Sequence, residues 1–341
     1  MSLKMPARTA LSAMLLTLSL GLAASPGVAQ EYPSGQLFTA DHGSGALTLI
    51  DLDQRATTAL ALSLSPSTVR MAGGTSVLMS VGQVLTEEAS KEGGGELHLL
   101  STSDPGTLIA QIPVGEQPAF VVSDAAGERA FVTNAGDNTL SVIDLVTLQP
   151  VATVPTGEYP HGLALSPDER VLFVANLQEN ALSVIDTESL TEVDRISVGH
   201  APTQITFTPN GSEAYVAMRD ANAVAVVDVE ARRVVDVVQV GTAPAQLEAT
   251  ADGKYVVVAN EGNELTPEVR VSVIDTDRHQ VMRTFEVGQG PHGIAVDDTG
   301  RFVFVTSRQA STLSVLDLEH EEVVDTYATG RDPRGVTWEG R

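Results

Sequence analysis

Three large polar side chains, His161, His292 and Arg334, each stand directly after a proline that recurs along the chain. Neutral imidazoles are the commonest nitrogen ligands for zinc and copper, and a guanidinium holds carboxylates through its fork of donors. His42, Arg219 and Arg308 follow short apolar runs that end in Asp41, Met218 and Ser307; Asn134, Asn176 and Asn260 end similar runs. Carboxylate, amide and guanidinium groups of this kind can hydrogen-bond a bound molecule. These ten residues, His161, His292, Arg334, His42, Asp41, Asn134, Asn176, Arg219, Asn260 and Arg308, are the candidate ligand-binding set, with His161 and His292 the candidate metal ligands. No H-x-x-x-H spacing links the histidines, so a shared ion would depend on the fold bringing them together. There is no G-x-S-x-G elbow and no cysteine nucleophile, so no catalytic residue is assigned.

What positions these residues is a repeat. The phrase V/T-G-x-x-P ends at Pro118, Pro160, Pro202, Pro244, Pro291 and Pro333, with spacings of 42, 42, 42, 47 and 42 residues. A second phrase, S-V-I-D or a close variant, keeps the same beat at Asp144, Asp186, Asp228, Asp275 and Asp317. Toward the N-terminus the series continues less cleanly, with LTLID ending at Asp51, LHLLS ending at Ser101 and a degenerate proline phrase at Pro66. One unit reads as four strands: His161–Ser166, Val171–Asn176, Ala181–Thr187 and Thr191–Gly199. Its second strand, VLFVAN, is nearly continuous in apolar residues, as a strand buried on both faces should be.

Seven four-stranded units with a period near 42 predict an all-β, seven-bladed β-propeller. Its ends complement each other. Strands Gln36–Asp41, Ala46–Asp51 and Thr57–Leu62 begin mid-unit, and the chain finishes after one innermost strand, Arg334–Trp338. One C-terminal plus three N-terminal strands would close the ring and remove free edges. The recurrent Asp residues read as turn caps, the Gly of V-G-x-x-P as a bend from outer to next inner strand, and the Pro as a residue where no ladder donor is wanted.

Function then belongs where the units differ. The positions after the phrase prolines, Ser67, Ala119, His161, Thr203, Ala245, His292 and Arg334, fall at one mouth of the central channel. On that face the slot ending strand two holds Asp41, Ser80, Asn134, Asn176, Met218, Asn260 and Ser307, with Glu261 after Asn260 and His200 in a crossing loop. The irregular stretches Val81–Glu96 and Glu261–Glu268 lie there too, and loops that break a repeat on one face usually mark the binding face. His279 and His320 fall on the opposite face and His98 within a strand.

The chain has 341 residues, 44 acidic against 20 basic, net −24, and no cysteine. Length alone would suggest two domains; the repeat makes it one, spanning 30–341. The absent cysteines exclude disulfides, c-type haem attachment, thiolate metal sites and a lipid anchor. The acidic balance disfavours nucleic acid and anionic lipid, and through long-range attraction favours cations or basic partners. Lys4 and Arg8 precede the uncharged run Ala10–Ala24, and Gly27-Val28-Ala29 supplies small residues for cleavage. Residues 1–29 therefore read as a signal peptide cleaved near Ala29, the run being shorter than the roughly 20 residues needed to span. We expect a periplasmic or secreted monomer with no membrane span after cleavage, binding a small molecule or a periplasmic protein.

AFVTNAGDNTLSVIDLVT (Ala130–Thr147), VLFVANLQENALSVIDT (Val171–Thr187) and PHGLALSPDER (Pro160–Arg170) resemble the YVTN-type β-propeller repeat family. PHGIAVDDTGR (Pro291–Arg301) does so as well. The resemblance is strong from about Pro113 onward and implies an exported bacterial propeller, distantly similar to the haem-d propeller of periplasmic nitrite reductases. The regular scaffold, with its irregularity gathered on one face and no catalytic constellation, points to a non-enzymatic accessory or carrier protein; the resemblance implies the alternative, a metal- or tetrapyrrole-dependent protein using His161 and His292. The sequence itself requires no cofactor. One Trp and seven units depart from the Trp-studded, usually eight-bladed quinone dehydrogenases, and some propeller hydrolases hold a divalent metal with scattered acids.

Overall fold

The computed structural model describes residues 32–85 and 94–340; the expected signal peptide and most of the EEASKEGGG stretch lie outside them. Among the described residues, seven four-stranded antiparallel sheets stand around a ring. The innermost strands run Leu64–Met71, Pro118–Ser123, Pro160–Leu165, Pro202–Phe207, Pro244–Ala249, Pro291–Val296 and Pro333–Glu339. We number the blades one to seven from the sheet that pairs Pro333–Glu339 with Gln36–Asp41, Ala46–Asp51 and Ala56–Ala61. That first sheet is the expected closure, one C-terminal strand with three N-terminal ones. No helix of the described residues is long and apolar enough to cross a membrane.

The apolar runs follow from sheet-on-sheet packing. In blade four, Leu172, Val174 and Ile185 pack toward Phe131, Leu140 and Val142 of blade three. The alternate residues Phe173, Ala175, Leu182 and Val184 pack toward Val216, Ala223 and Ala225 of blade five. Both faces of the strand are therefore core, and each such side chain contributes about 1.5–3 kcal/mol by burial. In blades two to seven the outermost strand carries one buried residue, such as Ile196 in Thr191–Ser197 and Val238 in Arg233–Gln239; in blade one, Ala56–Ala61 carries none. The recurrent aspartates cap turns as their spacing suggested: Asp51, Asp144, Asp186, Asp228, Asp275 and Asp317 each accept backbone N–H groups two or three residues on.

Two devices aim side chains at the channel mouth. The first is a β-bulge after each phrase proline: Pro160 pairs with Asn176 and Leu163 with Val174, so His161 and Gly162 together face one partner residue. The same irregularity follows Pro291 and sets His292, and Arg334 is the unpaired extra residue between Pro333 and Gly335. A bulge re-aims the side chain it carries. The second is a left-handed residue just before the proline: Gln117, Tyr159, Ala201, Ala243 and Asp332 have φ between 48° and 55°, and Gly290 has 71°. Their carbonyls accept the N–H of Ala135, Leu177, Arg219, Glu261, His42 and Arg308 at 2.8–3.1 Å. The residue after strand two is thereby fixed beside the mouth.

The bend thus falls on the residue before the proline, not on the phrase glycine. Of the six phrase glycines only Gly199 has positive φ. They are required for close approach: a Cβ on Gly115, Gly157 or Gly241 would lie 2.4–2.8 Å from side-chain atoms of Asp137, Asn176 or Asn260 or closer.

Candidate functional site

Six of the ten candidate residues come together. A cavity of about 240 Å³ at the channel mouth is lined by His42, Gln117, Tyr159, His161, His292 and Arg334, with neighbouring apolar groups. A contiguous cavity of about 440 Å³ shares Tyr159, His161, His292 and Arg334, and adds Arg219, Glu261 and Arg308. His161 and His292 sit on blades four and seven, on opposite sides of the ring, yet both line the same opening.

The other four candidates turn away from it. Asp41, Asn134, Asn176 and Asn260 are fully buried and act as latches between strands two and three and the crossing loop. Asn134 donates to the Ser141 hydroxyl and accepts the Gly115 N–H at 3.1 Å. Asn176 donates to Ser183 and Asn260 to Ser272. Asp41 accepts from Thr48 and from the Gly330 N–H, and burial pushes its carboxyl up against those bonds. The serine of S-V-I-D is thus the partner of the strand-two asparagine. In blade five, where the latch position is Met218, the partner position holds Ala225. In blade two, Pro66 pairs with Gly82, so Gly82 takes this slot and Ser80 lies inside the strand, bonding the Thr68 carbonyl.

The three histidines share one arrangement. His161 Nδ1 lies 2.8 Å from the Thr203 carbonyl, His292 Nδ1 2.6 Å from the Arg334 carbonyl and His42 Nδ1 3.2 Å from the Pro66 carbonyl. A carbonyl only accepts, so the proton sits on Nδ1 and Nε2 keeps its lone pair. No described residue hydrogen-bonds any of the three Nε2 atoms. Burial lowers all three pKa values, that of His292 to about 4, with Arg334 adding to the effect at His42. The mouth therefore presents neutral imidazoles as acceptors at neutral pH.

Around them runs an alternating chain of charge. Arg219 Nη2 lies 3.8 Å from Glu261. Arg308 pairs with both Glu261 and Asp332, and Arg334 reaches Asp332 at 3.0–3.1 Å. Burial opposes the Glu261 and Asp332 carboxylates. Arg308 and Arg219 nonetheless hold Glu261 below its usual range, and Arg308 and Arg334 do the same for Asp332. Among the described residues of this charge chain, three guanidiniums against two carboxylates leave an excess positive charge, although the whole chain is net −24. Whole-chain charge could not reveal that inversion. Glu261 stood beside Asn260 in the repeat, but Asp332, hidden at the left-handed position before Pro333, gave no sequence signal.

The His292 environment predicts acid sensitivity. Its folded-state pKa of about 4 lies below the ordinary 6.5, so between those values the unfolded chain takes up the proton first. Stability is full above about pH 6.5 and falls as the pH drops toward 4; His161 and His42 act with the same sign. Thermal melts of a His292→Gln variant should show a flatter loss between pH 6.5 and 4 than the unaltered protein. Equal slopes would refute the assignment.

Among the described residues, no three His, Asp or Glu side chains are grouped to hold a metal ion. A family model for the YNCE-like beta-propeller matches residues 105–211 and 189–340. Among solved structures, the fold is similar to Kuenenia stuttgartiensis hydrazine synthase, at 21% identity and TM-score 0.70, over 80% of this chain and 89% of that one. It is also similar to a Desulfotomaculum acetoxidans protein, at 16% identity and TM-score 0.75, over 89% of this chain and 99% of that one. A Lactobacillus plantarum protein gives 18% identity and TM-score 0.72, over the same shares. At these identities the likeness shows the fold alone. No curated protein matches the chain.

Proposed function

The chain belongs to the YNCE-like β-propeller family, and from that premise we propose that it is an exported, non-enzymatic binding protein in an accessory or carrier role. Its ligand is a small hydroxylated carboxylate held at the channel mouth. The observation that supports this reading is the locally positive opening of an otherwise strongly acidic protein. Arg334 and Arg219, at the two ends of the charge chain, are partly exposed and keep donors to spare. The Nε2 acceptors of His42, His161 and His292 suit the hydroxyl donors of such a ligand, and Gln117 and Tyr159 line the same wall. The surrounding negative surface would repel anions too large to enter the opening.

The test is thermal-shift and calorimetric titration of the recombinant protein with hydroxycarboxylates such as gluconate and citrate, beside matched polyols and amines. Binding by carboxylates, weakened about tenfold or more by Arg334→Gln, is the expected result, since a hydrogen bond between charged groups contributes about 1.5–3 kcal/mol. Preference for amines, indifference to Arg334→Gln, or steady turnover of an ester, lactone or quinone would overturn it.

A second reading rests on the same Nε2 lone pairs. An imidazole whose Nδ1–H is fixed on a carbonyl is arranged as metal-bound histidines are, and His161 and His292 are the residues that would hold a metal or a tetrapyrrole iron. Melting temperatures that rise with added zinc, copper or haem in the unaltered protein, but not in a His161→Gln/His292→Gln double variant, would favour it.

A further inference from the structure

The far end of the channel carries a second unassigned cavity, about 310 Å³ in volume. It is lined by apolar side chains of the inner strands, among them Leu163, Leu165 and Phe207, and by the polar Arg70, Ser123, Gln204, Thr206 and Glu248. Arg70 on blade two and Glu248 on blade six stand across the ring from each other. Their closest approach is 3.9 Å, beyond hydrogen-bond length. Arg70 is anchored by a 2.6 Å bond from Nη1 to the Val336 carbonyl and by the Phe120 ring, 5.7 Å beneath its guanidinium. That leaves Nη2 facing the cavity side of the pair without a hydrogen-bond partner among the described residues.

Glu248 has no hydrogen-bond donor among the described residues either. Its side chain is 36% exposed into the opening, and the burial of the remainder pushes its carboxyl up despite Arg70. Gln204 is 4% exposed, and its Oε1 is enclosed against Gly162, so the charged groups open to the cavity are those of Arg70 and Glu248. Further up the same strand as Glu248, Gln246 reaches across to the Arg334 carbonyl of blade one at 3.0 Å. It lies between the far cavity and the histidine mouth, so the two ends are separate recesses.

We propose that this far cavity is a second binding site, for an α-amino acid with an aliphatic side chain. The ligand's ammonium meets the Glu248 carboxylate, its carboxylate meets Arg70 Nη2, and its side chain lies on Leu163, Leu165 and Phe207. A ligand of single sign fails here. A plain amine would satisfy Glu248 while sitting against the Arg70 guanidinium, and a plain carboxylate would satisfy Arg70 while sitting against Glu248. Only a zwitterion satisfies both charges at once, replacing a loose internal pair with two close ones. This site does not depend on the reading of the histidine mouth.

The experiment is calorimetric titration with L-leucine, with isoamylamine, which lacks the carboxylate, and with 4-methylpentanoate, which lacks the ammonium. L-leucine is expected to bind, with both analogues about tenfold weaker or worse. Glu248→Gln and Arg70→Gln should each weaken L-leucine binding by about tenfold. Arg334→Gln, at the opposite mouth, should leave it within twofold. Melting temperatures of each variant guard against a loss that merely reports unfolding, and Arg70→Gln serves if Glu248→Gln fails to fold. No binding of L-leucine, equal binding of either analogue, or binding indifferent to both folded variants would overturn the proposal.

Discussion

Deleting Pro333–Arg341 is expected to abolish the cooperative monomer. Its Pro333–Glu339 part is the innermost strand of blade one and pairs with Gln36–Asp41. It is also tied in from the sides: the Val336 carbonyl accepts from Arg70, the Glu339 carboxylate from Thr102, and Trp338 donates to the Ser34 carbonyl and stacks on Phe304. Fully buried Val336 alone contributes about 1.5–3 kcal/mol. Removing the strand also strips a neighbour from Leu37, Phe38 and Ala40, all now fully buried. Set against a typical stability of about 5–15 kcal/mol, these losses leave little. The deletion bares Gln36–Asp41 as an apolar edge, a template for pairing with other chains. Size-exclusion chromatography should show oligomers or aggregates, and urea unfolding should lose its single sharp transition. Adding the peptide Pro333–Arg341 in trans should restore part of it. A monomer with an unchanged unfolding midpoint would mean that ring closure does not hold the fold.

That closure was legible in the chain because each blade solves one local problem repeatedly. Strands Gln36–Asp41 and Ala46–Asp51 fall where the repeat puts them. The third, expected at Thr57–Leu62, lies at Ala56–Ala61, and the last extends to Pro333–Glu339. What repetition could not tell is which way a strand's last residue points. Asn134, Asn176 and Asn260 looked like ligand contacts because they end strand two at the functional face. A period of two cannot distinguish a side chain turned to the channel from one turned into the crossing loop. The signal was present in a different form, in the pairing of each such asparagine with the serine of the next strand and its loss at Met218 and Ala225. The bulge that turns His161 and His292 inward adds one residue to a strand of ordinary sequence, so spacing alone could not show it. The degenerate second unit misled by two residues for the related reason that its strands are longer, Val77–Val84 and Gly94–Ser101.

The bulge also makes the mouth vulnerable at one glycine. Gly162 is the second residue of the bulge in blade four, and a Cβ there would lie 1.9 Å from Gln204 Oε1, 2.3 Å from the Thr203 carbonyl oxygen and 2.6 Å from Gln204 Cα. The side-chain oxygen could swing away, but the backbone atoms belong to the neighbouring inner strand and cannot. Gly162→Ala must therefore push blades four and five apart at the axis. Overpacking of this kind costs about 1–3 kcal/mol, and more where backbone is the obstacle. The same Thr203 carbonyl holds His161 Nδ1 at 2.8 Å, so the displacement also frees the imidazole from its tautomer and direction. We expect Gly162→Ala to lower the unfolding free energy by about 3 kcal/mol and to weaken ligand binding at the mouth in whatever protein remains folded. Gly94→Ala is the control, since a Cβ there meets no atom of the described residues within 4 Å; a change of that sort should stay within about 0.5 kcal/mol. Denaturant unfolding of both variants, with mouth-ligand titration at a temperature where each is folded, separates the two effects. A Gly162→Ala protein as stable as the Gly94→Ala control would show that the inner strands yield at this contact. The mouth would then owe its geometry to the histidine hydrogen bonds alone.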